Sequence, residues 1–76
     1  MKKIRISLNT MDKVKNFVNV TSKLDCDLDL VSGRNMIDGK SILGIFSLDL
    51  SKPIEVHINM KYDMDYIPDE LEAFII

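Results

Sequence analysis

Apolar and polar residues change rhythm several times along this chain, and each rhythm predicts an element. Over residues 3–8 they alternate, with Ile4, Ile6 and Leu8 on one side and Lys3, Arg5 and Ser7 on the other, as in a half-buried strand. Val14, Phe17, Val18, Thr21 and Leu24 then recur at helical spacing, which predicts an amphipathic helix. Thr10 suits its N-cap and Asp12 its first turn. Alternation returns over residues 26–31, with Leu28 and Leu30 inward. Ser32–Asn35 reads as a hairpin turn in which Gly33 supplies a position where φ can be positive, and Met36 and Ile37 begin a third strand.

The stretch GKSILGIFSLDL, Gly39 to Leu50, is too apolar for a loop. Ser41 can cap a short helix over 42–47, on which Ile42, Leu43 and Phe46 share part of one face. Ser51–Pro53 is a breaker. Beyond it Ile54, Val56, Ile58 and Met60 alternate with Glu55, His57, Asn59 and Lys61, the most regular strand pattern in the chain. Pro68 is placed to open a last helix, with Asp69 and Glu70 at its N-terminus and Ile67, Leu71, Phe74 and Ile75 as its apolar stripe. The predicted order is β-α-β-β-α-β-α, an α+β class in which alternating strands leave one sheet face wet and helices cover the other.

Seventy-six residues make one domain, 1–76, with one modest core and little room for a deep cleft. A net charge of -2 argues against a nucleic-acid partner, which calls for a basic patch. Cys26 is the single cysteine, so no disulfide can form within the chain, and a reducing, cytoplasmic setting is expected. The opening MKKIRISLNT carries charge but no apolar run behind it, and nothing approaches a membrane span; neither a signal peptide nor a membrane segment is expected.

With this order in hand, KSILGIFSL (Lys40–Leu48) resembles the KSIMGVMSL segment of HPr, the histidine-containing phosphocarrier of the bacterial sugar phosphotransferase system. The likeness runs back without a gap through SKLDCDLDL (Ser22–Leu30), similar to the family's SKYDADVNL, and forward through IEVHI (Ile54–Ile58), similar to AEVTI. It covers most of the chain and weakens after Lys61. The resemblance implies an HPr-like open-faced β-sandwich, four antiparallel strands with three helices on one face. It also implies protein partners: enzyme I, sugar-permease components, a serine kinase and a transcription regulator.

The family's site motif is G-I-H-A-R-P, at the end of the first strand and the start of the first helix. The ungapped match places Asn9–Lys13 there, with Thr10 at the position of the phosphorylated histidine, Asp12 at that of the arginine and Lys13 at that of the proline. Both chemical members are missing. An imidazole nitrogen passes a phosphoryl group on readily near neutral pH, whereas a threonine phosphate is a stable ester. A cation beside the site offsets phosphate charge, and Asp12 would repel it. Capping alone accounts for Thr10 and Asp12.

Ser41 falls on the family's regulatory serine. A phosphate there would meet free backbone N–H groups and would put about two negative charges beside Ile42, Leu43 and Phe46. The bland reading is an unmodified N-cap. Lys40, Ile42, Leu43 and Phe46 are the candidate partner-binding residues. His57, the one histidine, is expected on the wet face of the last strand, where it is either a surface residue or a substitute carrier. Cys26 beside Asp25 and Asp27 reads as structural, since carboxylates disfavour a thiolate. The acidic group Asp63, Asp65, Asp69 and Glu70 lacks calcium-loop spacing and reads as a charged helix start, so no metal and no cofactor are expected. Phe74, Ile75 and Ile76 are a candidate self-association surface.

These features lead to an expected HPr-like binding or regulatory module without carrier activity, modified on Ser41, and not an enzyme. An active carrier using His57 or another site, and an unrelated interaction domain with Ile42, Leu43 and Phe46 as its contact patch, are the alternatives.

Overall fold

The computed structural model describes residues 2–60 and 69–76. Four strands, β1 (Lys2–Ile6), β2 (Cys26–Ser32), β3 (Asn35–Asp38) and β4 (Ile54–Met60), form one antiparallel sheet in the order β1-β4-β2-β3. Two α-helices, α1 (Met11–Thr21) and α2 (Ile42–Phe46), and a 3-10 helix over Asp69–Phe74 complete the chain. This is the open-faced α+β sandwich expected from the sequence.

The pleat sorts the side chains. Ile4 lies opposite Val56 and Leu30 lies opposite Val56 on its other side, so the inward residues form rows across three strands. Ile4, Ile6, Leu28, Leu30, Ile54, Val56 and Ile58 are buried together with Val14 and Phe17 of α1, Ile45 of α2, and Leu71 and Phe74 of the 3-10 helix. One core therefore lies between the sheet and its three helices. The alternate residues Lys3, Arg5, Asp27 and Asp29 are exposed on the opposite face.

Strand β1 ends at Ile6, which pairs with Ile54, the first residue of β4. Pro53 precedes it and has no N–H to extend the ladder. Leu8, expected within the strand, lies beyond it but is fully buried all the same. The turn after β2 uses Gly33 at φ 61°, the conformation the hairpin requires and glycine tolerates.

The C-terminal stripe departs from expectation. Residues 69–74 form a 3-10 helix, and Ile75 then makes an antiparallel bridge with Ile6. The Ser7 N–H donates to the Phe74 carbonyl at 3.0 Å and the Ile76 N–H to the Arg5 carbonyl at 3.1 Å. Phe74 is buried against Phe17, so it is unavailable as part of a self-association surface; that expectation is corrected for this residue. Ile75 and Ile76 remain exposed. Asp63 and Asp65 of the acidic group, and Ile67 and Pro68 of the expected last helix, lie outside the described residues. Asp69 and Glu70 are exposed at the start of the 3-10 helix. Among the described residues, no group of three or more His, Cys, Asp or Glu is arranged to hold a metal ion, and no helix is long and apolar enough to cross a membrane.

Candidate functional site

The start of α1 is a capped helix end. Thr10 is extended, and its Oγ1 accepts from the Lys13 N–H at 3.2 Å. Thr10, Asp12 and Lys13 are exposed, and Asp12 places a carboxylate in the first turn, where it complements the free N–H groups. The only histidine is elsewhere. His57 alternates with the buried Val56 and Ile58 and therefore faces away from the helices. Its cross-strand neighbours are Lys3 on β1 and Asp29 on β2. Its Nε2 lies 2.7 Å from Glu55 Oε1, two residues earlier on the same face. The hydrogen bond to His57 is the chief reason that the Glu55 carboxyl is held below the usual glutamate range, with Lys3 and Arg5 adding to the effect.

The Gly39–Phe46 stretch is held firmly at its head. The Gly39 N–H donates to the Leu28 carbonyl at 2.8 Å, and the buried Thr21 Oγ1–H donates to the Gly39 carbonyl at 3.0 Å. A β-carbon on Gly39 would lie 3.0 Å from Leu28 Cβ and 3.1 Å from its carbonyl oxygen, so a larger residue would push this turn a few tenths of an ångström away from β2. The Lys40 N–H donates to Asp38 Oδ1 at 2.9 Å, and Lys40 Nζ reaches across to the Leu24 carbonyl at 3.1 Å. Lys40 therefore ties the end of the α1 segment to the start of α2 and is half-buried. The same ammonium acts on Cys26: burial pushes the thiol up, Lys40 opposes that, and Asp27 and Asp25 add to the rise.

Ser41 is the N-cap of α2. Its Oγ accepts from the Gly44 N–H at 3.2 Å, and a β-carbon on Gly44 would meet that same oxygen at 3.2 Å and Ile37 Cδ1 at 3.4 Å. Ile45 turns inward and is fully buried. Ile42 is half-buried against the core, whereas Leu43 is 81% exposed and Phe46 41%. The structure thus brings Ser41 and the apolar residues of α2 together on one short element, with Leu43 and Phe46 as its outward members. Thr10 caps α1 and Asp12 lies in its first turn, and α1 packs against α2. His57 lies on the far face of the sheet. The Thr21 hydroxyl, which fixes the turn before Ser41, carried no sequence signal beyond its place in an apolar helical stripe.

No family model matches this chain, and no curated protein matches it. Among solved structures, the crystal structure of HPr-C-His from Thermoanaerobacter tengcongensis superposes with a TM-score of 0.70 at 22% identity, over 80% of this chain and 76% of that one. The fold is HPr-like. The four-stranded antiparallel open sheet with its three helices belongs to that fold; the side chains on it are this chain's own.

Proposed function

We propose that this chain is a protein-docking module related to the phosphotransferase system, without carrier activity and without catalysis of its own. One observation carries the reading: Ser41 Oγ caps α2 directly beside the exposed side chains of Leu43 and Phe46. Apolar side chains presented on a pinned, rigid element are what a protein partner can bury. The start of α1 offers no phosphoryl relay, since Thr10 is a capping hydroxyl and Asp12 a carboxylate. His57 has its Nε2 against Glu55 on the opposite sheet face.

Modification of Ser41 is the regulatory half of the proposal. Transfer of the terminal phosphoryl group of ATP to Oγ would release ADP and the hydroxyl proton. With five residues, α2 has too small a dipole to matter much here. The effect would come from about two negative charges placed beside Leu43 and Phe46, which would weaken an apolar partner and favour a cationic one.

Two incubations test this. With enzyme I and labelled phosphoenolpyruvate the chain should stay unlabelled. With the serine kinase and ATP it should gain one phosphate, which Ser41→Ala abolishes. Acid-labile label on His57 would overturn the non-carrier reading, and an unmodified Ser41 would leave it only a capping role.

A further inference from the structure

The open face of the sheet carries a second, chemically different feature. The register row Arg5, Glu55 and Val31 crosses three strands and forms the floor of an open cleft of about 470 Å³. The β2–β3 turn, with Arg34 at its tip, forms one wall. The loop before β4, through Asp49, Lys52 and Pro53, forms the other.

Three cations from three separate segments thus line one cleft. Both acids there are already engaged. Asp49 Oδ1 accepts from the Ser51 N–H at 3.2 Å and from Ser51 Oγ at 2.6 Å, and its Oδ2 lies 3.8 Å from Lys52 Nζ. The Ser51 bonds, helped by Lys52, hold its carboxyl below the usual aspartate range. Glu55 Oε1 is spent on His57. Among the described residues, the guanidinium of neither Arg5 nor Arg34 has a hydrogen bond or an ion pair within 4 Å, and Arg5 acts on its cross-strand neighbour Glu55 only through its field. Two planar, permanently charged forks left over on one cleft are suited to tetrahedral oxyanions, which accept bidentate hydrogen bonds. Gly33, at φ 61°, forms the turn that carries Arg34 to the cleft.

We infer that this cleft binds a phosphate dianion, held between Arg5 and Arg34, either free or as the head of a small phosphate ester. The site is separate from α2 and does not depend on Ser41 or its modification. The cleft is open and shallow, so weak, rapidly exchanging binding is expected.

The test is a two-dimensional NMR titration of the whole chain with inorganic phosphate and with glycerol 3-phosphate, each against sodium chloride at matched ionic strength. Saturable shifts should be confined to the amides of Arg5, Gly33, Arg34 and Lys52. Arg34→Gln and Arg5→Gln, both at exposed positions, should each weaken binding by about tenfold, with distant resonances unmoved. Lys15→Gln on α1 makes the same change in net charge and should leave binding intact. Tighter binding of glycerol 3-phosphate assigns the site to an ester, and equal binding assigns it to free phosphate. Shifts reproduced by chloride, unchanged affinity in both arginine variants, or equal weakening by Lys15→Gln would each overturn the proposal.

Discussion

Phe17 and Phe74 meet edge to face, their ring centroids 5.3 Å apart and their planes at 89°. This pair joins the middle of α1 to the end of the 3-10 helix and is part of the core. Phe74→Ala should therefore destabilise the fold by about 3 kcal/mol, through lost burial and an incompletely collapsed cavity. Phe74→Leu should cost less. Urea unfolding would measure both, and an alanine variant as stable as the parent would mean that the segment adds nothing to the core.

The Thr21 hydroxyl is a buried donor with a buried acceptor, the Gly39 carbonyl. Thr21→Val keeps the shape and removes the donor, so it should cost about 2 kcal/mol and speed exchange of the Gly39 and Ser41 amides. Thr21→Ser keeps the donor and should cost about 1 kcal/mol with that protection retained. A Thr21→Val variant as stable as the parent, beside a destabilised Thr21→Ser, would show that the methyl group matters and the hydrogen bond does not.

How readily these features could be foreseen follows from their geometry. Val14 and Phe17 announce themselves because helical spacing records burial directly, and Ile54, Val56 and Ile58 do so by alternation. Phe74 was ambiguous because Ile75 and Ile76 follow it. A run of three apolar residues does not reveal which one finds a partner, and Phe17 is distant in sequence. Thr21 was legible as inward-facing but not as a donor, since its acceptor sits in a turn far along the chain. The arginine cleft had no signature at all: Arg5, Arg34 and Lys52 share no spacing, and only the strand register brings them together. Ser41 as a cap and the exposed Phe46 were both within reach of the sequence. The different fates of Ile42 and Leu43, half-buried and exposed, had to await the path of α2.

Leu43 supplies the cleaner test of docking. Leu43→Asp should change stability by no more than about 0.5 kcal/mol, because so little of the side chain is buried. The same variant should lose phosphorylation by the serine kinase while the Ser41 cap stays in place. Thermal unfolding and a kinase assay on one preparation separate the two effects. Full phosphorylation of Leu43→Asp would remove Leu43 from the contact surface.

Glu55 sets a pH dependence whose sign is fixed by its depressed carboxyl pKa. The stabilisation it brings is fully present above the ordinary glutamate range and is lost as pH falls through the depressed value. Glu55→Gln should thus lie closer to the parent in stability at about pH 3 than at about pH 6. Parallel pH profiles for the two proteins would show that the His57 contact contributes no linkage.

Cys26 should be a slow nucleophile. Its thiol is pushed up chiefly by burial, so alkylation by iodoacetamide near neutral pH should lag behind that of a free cysteine. Lys40→Met should slow the reaction further and Asp27→Asn should hasten it. A rate above that of the free amino acid would contradict the electrostatic balance described for this site.

The position of β1 also bears on the order in which the chain assembles. Among the described residues, the backbone pairing partners of this strand come from far along the sequence: β4 on one side, with Ile6 opposite Ile54, and residues 74–76 on the other. The β2–β3 hairpin, by contrast, closes through a local turn and can form in about 1–10 μs. The entropy of closing the long loop delays β1, so it should dock after the folding barrier has been crossed. Ile4→Val should then leave the folding rate almost unchanged and accelerate unfolding, whereas truncation of Leu30 in the hairpin strand should slow folding itself.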